Sequence, residues 1–106
     1  MTREAIQASV FFIEERMPES VLLVGDHPSY YGKGSACTSM NILIGKAYPK
    51  KEDRLAFLAW LLGFDRLEST KQLTIAQAIA VCRAEAHLPQ LTQEFANARR
   101  QSPILG

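Results

Sequence analysis

The stretch PKKEDRLAFLAWLLG, residues 49–63, decides the fold. Proline suits the start of a helix, where its missing N–H costs nothing, and Glu52 and Asp53 suit the positive end of the helix dipole. Leu55, Leu58, Ala59 and Leu62 repeat at three- and four-residue intervals, the period of one helical face. Phe57, Trp60 and Leu61 make the remaining surface apolar as well, which places such a helix at the centre of a bundle or at an interface. Gly63 can take the left-handed conformation that closes a helix. Ten apolar-rich residues are half of what a bilayer crossing needs, so no membrane partner is expected.

Helical periodicity extends to both sides. Downstream, Thr74 and Gln77 have the spacing of a capping box, in which each side chain satisfies a backbone N–H of the other. Ile75, Ala78, Ile79, Cys82 and Ala86 would form the stripe of the helix that follows. Leu88-Pro89 ends that helix and can begin another, with Leu91, Phe95 and Ala98 facing inward, and residues 101–106 read as a loose tail. Upstream, Thr38 or Ser39 is placed to cap a helix carrying Met40, Leu43, Ile44, Ala47 and Tyr48, although Gly45 inside it costs about 1 kcal/mol relative to alanine. Thr2 can cap a first helix whose stripe is Ile6, Val10, Ile13 and Met17, ended by Pro18. Phe11 points away from that stripe. Val21–Val24 reads either as a short strand or as one helical turn, and a hairpin with Met40–Ile44 is the alternative pairing. The expected fold is all-α or mainly α: a single domain over residues 1–106 with four or five helices, and at most one short strand at 21–24.

The chain has 106 residues, 47% hydrophobic and 22% charged, an ordinary balance for a chain that buries one core. Its net charge of +1 creates no bulk pull towards nucleic acid or acidic membranes. Acidic residues dominate 1–26, whereas Lys33, Lys46, Lys50, Lys51 and Arg54 make 27–54 basic, so the two segments could face each other within one chain or between two copies. No basic region followed by a short apolar stretch marks a secretion signal, and two cysteines in that setting are expected as free thiols in the cytoplasm.

Catalytic and metal chemistry find little support in the residue spacing. Gly25 to Ser35 superficially follows a phosphate-loop pattern, but six residues separate Gly25 from Gly32 and Gly34 follows Lys33, which breaks the required spacing. His27, Cys37, Cys82 and His87 lack the tight pairs of a zinc site, and neither a metal nor a cofactor is expected. Asp26 and His27 near Ser29, Ser35 and Cys37 offer the groups of a nucleophilic triad without the strand–nucleophile–helix turn that would orient them. The chain is read as non-enzymatic.

Binding has better candidates. Tyr30, Tyr31 and Lys33 lie between glycines, where aromatic faces can stack on unpaired bases while the ammonium meets phosphate. Lys46, Lys50, Lys51 and Arg54 gather at the junction of the second and third helices, as multiple phosphate contacts require. The same cations could instead be a solvated face. Phe11 and Trp60 are the interface candidates, although Trp60 reads first as a core residue and an interface anchor is its alternative role. Apolar surface around the first and third helices would favour a homodimer.

Residues 40–84 carry a further pattern: an amphipathic helix, then Arg54, Leu55, Phe57, Leu58, Leu61, Leu62 and Gly63, then Ser69, Thr70, Lys71, Leu73, Thr74, Gln77 and Ala78. This pattern resembles a small helical module of phage-encoded recombination and replication accessory proteins, including regulators of Mu-like phages. The chain departs from it at Ile79, where serine is common, and at Cys82, where a larger apolar residue is usual. The resemblance implies a place in DNA metabolism or mobile elements and carries no catalytic chemistry with it. The sequence therefore leads to a nucleic-acid-binding or DNA-processing module, with a protein–protein adaptor or inhibitor as the alternative.

Overall fold

The computed structural model describes residues 2–26 and 36–100. They form five helices: α1 (Arg3–Arg16), α2 (Ala36–Ala47), α3 (Lys51–Leu62), α4 (Ile75–Arg83) and α5 (Leu88–Arg100). Among the described residues there is no sheet, and the all-α bundle expected from periodicity is the architecture.

The helix boundaries have local causes. Thr2 Oγ1 accepts from Ala5 N at 3.1 Å and opens α1. Arg16 ends it, with Pro18 starting a 3₁₀ turn two residues later. Gly63, at φ 83°, closes α3 and donates its N–H to the Ala59 carbonyl at 3.0 Å. A Cβ at Gly63 would also lie 3.4 Å from the Gln7 amide, whose nitrogen donates to the Leu61 carbonyl and ties α1 to the end of α3. Thr74 and Gln77 make both bonds of the capping box at the start of α4, 3.2 Å and 2.8 Å long.

Two expected boundaries move. α2 already contains Thr38 and Ser39, so neither residue caps it. α4 ends at Arg83, and a 3₁₀ turn over Glu85–His87 leads into α5. Ala86 therefore lies outside the α4 stripe and is exposed, while Ile79 and Cys82 are only half-buried. The deepest residues of α4 are Ile75, Ala76, Ala78, Ala80 and Val81, continued by Ala84 just past its end. Small side chains on several sides let two neighbours approach at once: α4 packs against both α1 and α2.

Val21–Val24 is neither a strand nor part of a hairpin with Met40–Ile44, which is helical. The segment passes from one 3₁₀ turn to another and makes a single antiparallel bridge, Leu23 with Thr74. Val24 N donates to the Leu73 carbonyl at 2.8 Å and Ile75 N to the Leu22 carbonyl at 3.0 Å. Those two bonds pin the entry to α4, and Val24 is the one fully buried residue of the apolar run.

One hydrophobic cluster joins all five helices. Ile6, Val10 and Ile13 of α1 are buried as their spacing predicts, as are Leu91 and Phe95 of α5. α3 buries Phe57, Leu58, Leu61 and Leu62, so its all-round apolar character is largely consumed inside the bundle.

Candidate functional site

The α2–α3 junction forms one end of the bundle. Tyr48 N still bonds back to the Ile44 carbonyl at 2.9 Å, and Pro49 then turns the chain into α3. The Tyr48 ring packs against Phe57 of α3 and Phe95 of α5, with centroids 5.0 Å and 6.1 Å away. Burial pushes its phenol above the usual tyrosine range; Arg99 pulls it back and Asp53 adds to the rise. Arg54 Nη1 donates to the carbonyls of Tyr48 at 3.2 Å and Pro49 at 2.7 Å, which holds the turn closed. Arg54 is thus partly structural, and Lys46, Lys50 and Lys51 are exposed.

Anchoring Tyr48 on Phe95 brings the last turn of α5 to the same end. Arg99 Nη1 lies 3.9 Å from Asp53 Oδ1 and its guanidinium sits 5.1 Å from the Phe95 ring centre. Arg99 and Arg100 were not among the sequence candidates. Their signal was visible as a basic last turn, but linear spacing could not place it beside residues fifty positions earlier. Arg99 thereby joins the junction cations Lys46, Lys50, Lys51 and Arg54, with Glu52 and Asp53 among them and Glu85 lining the same shallow pocket as Lys46. The exposed Arg99–Asp53 pair contributes little stability, on the order of 0–1 kcal/mol, but it sets a guanidinium beside the Asp53 carboxylate.

Two concavities flank α3. A polar pocket of about 280 Å³ is bounded by Asn41, Lys51, Arg54, Leu55, Ser69 and Thr70. Ser69 is held by the 3₁₀ turn it starts: its Oγ accepts from Lys71 N at 3.2 Å, and its N–H donates to Gln72 Oε1 at 3.0 Å. On the other side an open groove of about 850 Å³ has Leu55, Ala56, Trp60, Phe64 and Leu67 among its lining, with Glu52 on its wall. Trp60 is half-buried there, its ring 5.4 Å from Phe95 and 6.0 Å from Phe57, with the Arg3 guanidinium 5.0 Å from its centre.

Phe11 is 69% exposed on the outer face of α1, next to an exposed Phe12 whose ring carries the Arg16 guanidinium at 4.2 Å. Tyr30, Tyr31, Lys33 and His27 lie outside the described residues. Cys37 is buried and receives a bond from Asn41 Nδ2 at 3.5 Å; Cys82 donates to the Ala36 carbonyl at 3.6 Å. Burial first, then the charges of Glu85 and Cys37, pushes the Cys82 thiol above its ordinary range, which suppresses the reactive thiolate. Among the described residues no three His, Cys, Asp or Glu side chains converge as metal ligands, and no helix is long and apolar enough to cross a membrane. Comparison with known proteins returns no match to any family model, curated protein or solved structure.

Proposed function

We propose that the chain is a non-enzymatic binding module that contacts nucleic acid through the basic end formed by α2, α3 and α5. The observation that carries this reading is the convergence of cations from three helices, with Arg99 and Asp53 already paired. Affinity for a polyanion grows with the number of phosphates met at once, and a cluster contributed by packed helices presents its charges together. The resemblance of residues 40–84 to a module of phage recombination and replication accessory proteins supports a setting within a DNA-processing complex. Tyr30, Tyr31 and Lys33 are proposed as auxiliary contacts, a cytoplasmic setting is proposed with them, and no cofactor is invoked.

Titration against single- and double-stranded DNA and RNA at two salt concentrations tests the reading. Arg54 holds the α2–α3 turn, so the informative variant replaces Lys46, Lys50, Lys51, Arg99 and Arg100 with serine and leaves Arg54 in place. The expected result is weaker binding and a flatter dependence on salt. Failure of the wild-type chain to bind any of these at low salt overturns it.

A second reading has its own support. Phe11, Phe12, Val21, Leu22, Leu23 and Ile42 are large apolar side chains left exposed. Such surface suits an adaptor or inhibitor that captures a protein partner or pairs as a homodimer, with Phe11 and Trp60 as anchors. Sedimentation across a hundredfold concentration range tests the homodimer, and the mass of one chain throughout would end it.

A further inference from the structure

We propose that the pocket between Asn41, Lys51, Arg54, Ser69 and Thr70 is a phosphate-binding site, holding one phosphate group of the nucleic-acid backbone. The backbone as source rests on the nucleic-acid reading above; the pocket's preference for phosphate does not.

The composition of the lining is the first argument. The chain carries 11 carboxylates, yet none borders this pocket. Glu52 turns to the groove on the other side of α3, and Asp53 faces Arg99. What remains is two cations, two hydroxyls and a carboxamide, with Leu55 the single apolar member. Every polar side chain in that set can donate a hydrogen bond, and Lys51 and Arg54 can do nothing else.

Preorganisation is the second argument. Lys51 and Arg54 are three residues apart on α3 and so share a face. Arg54 has its Nη1 tied to the Tyr48 and Pro49 carbonyls. That fixes the plane of the guanidinium, while its Nε and Nη2 donors keep the fork geometry that matches phosphate oxygens. Ser69 is set by its turn bonds, so both walls are ordered before a ligand arrives. Lys51 opens α3, whose first turn has no side-chain cap, and the partial positive charge of that helix end adds to the field.

Size is the third. A volume of about 280 Å³ is just below the roughly 300 Å³ at which pockets for whole small molecules begin. It has room for a phosphodiester group. Lys51 belongs both to this pocket and to the basic α2–α3 junction, so the two are contiguous at that residue. Seating one phosphate here would set the register of the chain on its target, while the outer cations supply attraction without position.

Amide-resolved NMR titrations of the full chain separate the claims, using inorganic phosphate first and duplex DNA second. Saturable phosphate-induced shifts are expected at Lys51, Ser69 and Thr70 and at the Asn41 carboxamide, and DNA should move the same signals. Thr70→Val keeps the side-chain shape and the charge count; it should weaken DNA binding threefold or more without altering the salt slope. Lys51→Ser should lower that slope by about one. Phosphate shifts confined to Lys46, Lys50, Arg99 and Arg100, or unchanged DNA affinity for Thr70→Val, would overturn the pocket while leaving DNA binding intact. Pocket shifts with phosphate but no binding of duplex DNA, single-stranded DNA or RNA would overturn the backbone assignment, and with it the proposed function, while the anion site itself stands.

Discussion

Leu58→Ala measures whether α3 is the structural centre that its sequence and packing indicate. Leu58 is 1% exposed and belongs to the cluster shared by all five helices. Truncation removes three carbons, worth roughly 2.4 kcal/mol at about 0.8 kcal/mol for each buried methylene. Part of the resulting cavity would persist, because Phe57 and Leu61 beside it are themselves fully buried. The total cost should therefore fall within about 2–5 kcal/mol. For a domain of this length each kcal/mol lowers the midpoint of thermal unfolding by about 4–8 °C, so the loss should exceed roughly 8 °C. Urea unfolding followed by circular dichroism gives the free energy directly, provided the m-value matches that of the wild type. Ile42→Ala is the control: Ile42 is 60% exposed on α2, and its loss should cost no more than about 0.5 kcal/mol. A cost below half a kilocalorie for Leu58→Ala, or equal costs for the two variants, would refute the assignment of α3 to the core.

Gly45→Ala should stabilise the chain by about 0.5–1 kcal/mol, because Gly45 lies within α2 and an added Cβ meets nothing within 4 Å; a lower unfolding midpoint would contradict this. Ser20→Ala should be neutral or stabilising, since the Ser20 hydroxyl is fully buried with no hydrogen-bond partner among the described residues. A loss above roughly 1 kcal/mol in the same urea assay would mean that the hydroxyl does have a partner.

Much of the helical architecture was legible because its determinants are local. The Thr74–Gln77 box, the Thr2 cap and the left-handed Gly63 each act within four residues, and all three occur as their spacing predicts. The start of α2 differs from the expected one because Thr38 and Ser39, good capping residues, lie inside the helix. Capping propensity is a weak preference, and packing of Cys37 into the core outweighs it. The α4 stripe differs from its expected pattern for a similar reason. Alanines at 76, 80 and 84 count for little in a hydrophobicity pattern, yet a small side chain is what two neighbouring helices need at their closest approach. Val21–Val24 could not be resolved from sequence, since its pairing partner is the entry to α4, fifty residues away.

The candidate site divides along the same line. Sequence by itself determined that this chain is helical, where most of its helices begin and end, and that Lys46, Lys50, Lys51 and Arg54 gather at one junction. Periodicity and capping are short-range effects, so they can be read along the chain. Only the tertiary structure decided that Arg99 joins that junction and pairs with Asp53, that Glu52 lines the groove on the other side of α3, and that Ser69 and Thr70 close a carboxylate-free pocket with Lys51. Each of those depends on how separate helices dock. Docking is set by the summed burial of side chains such as Tyr48 after α2, Phe57 of α3 and Phe95 of α5, a quantity that no single stretch of sequence contains.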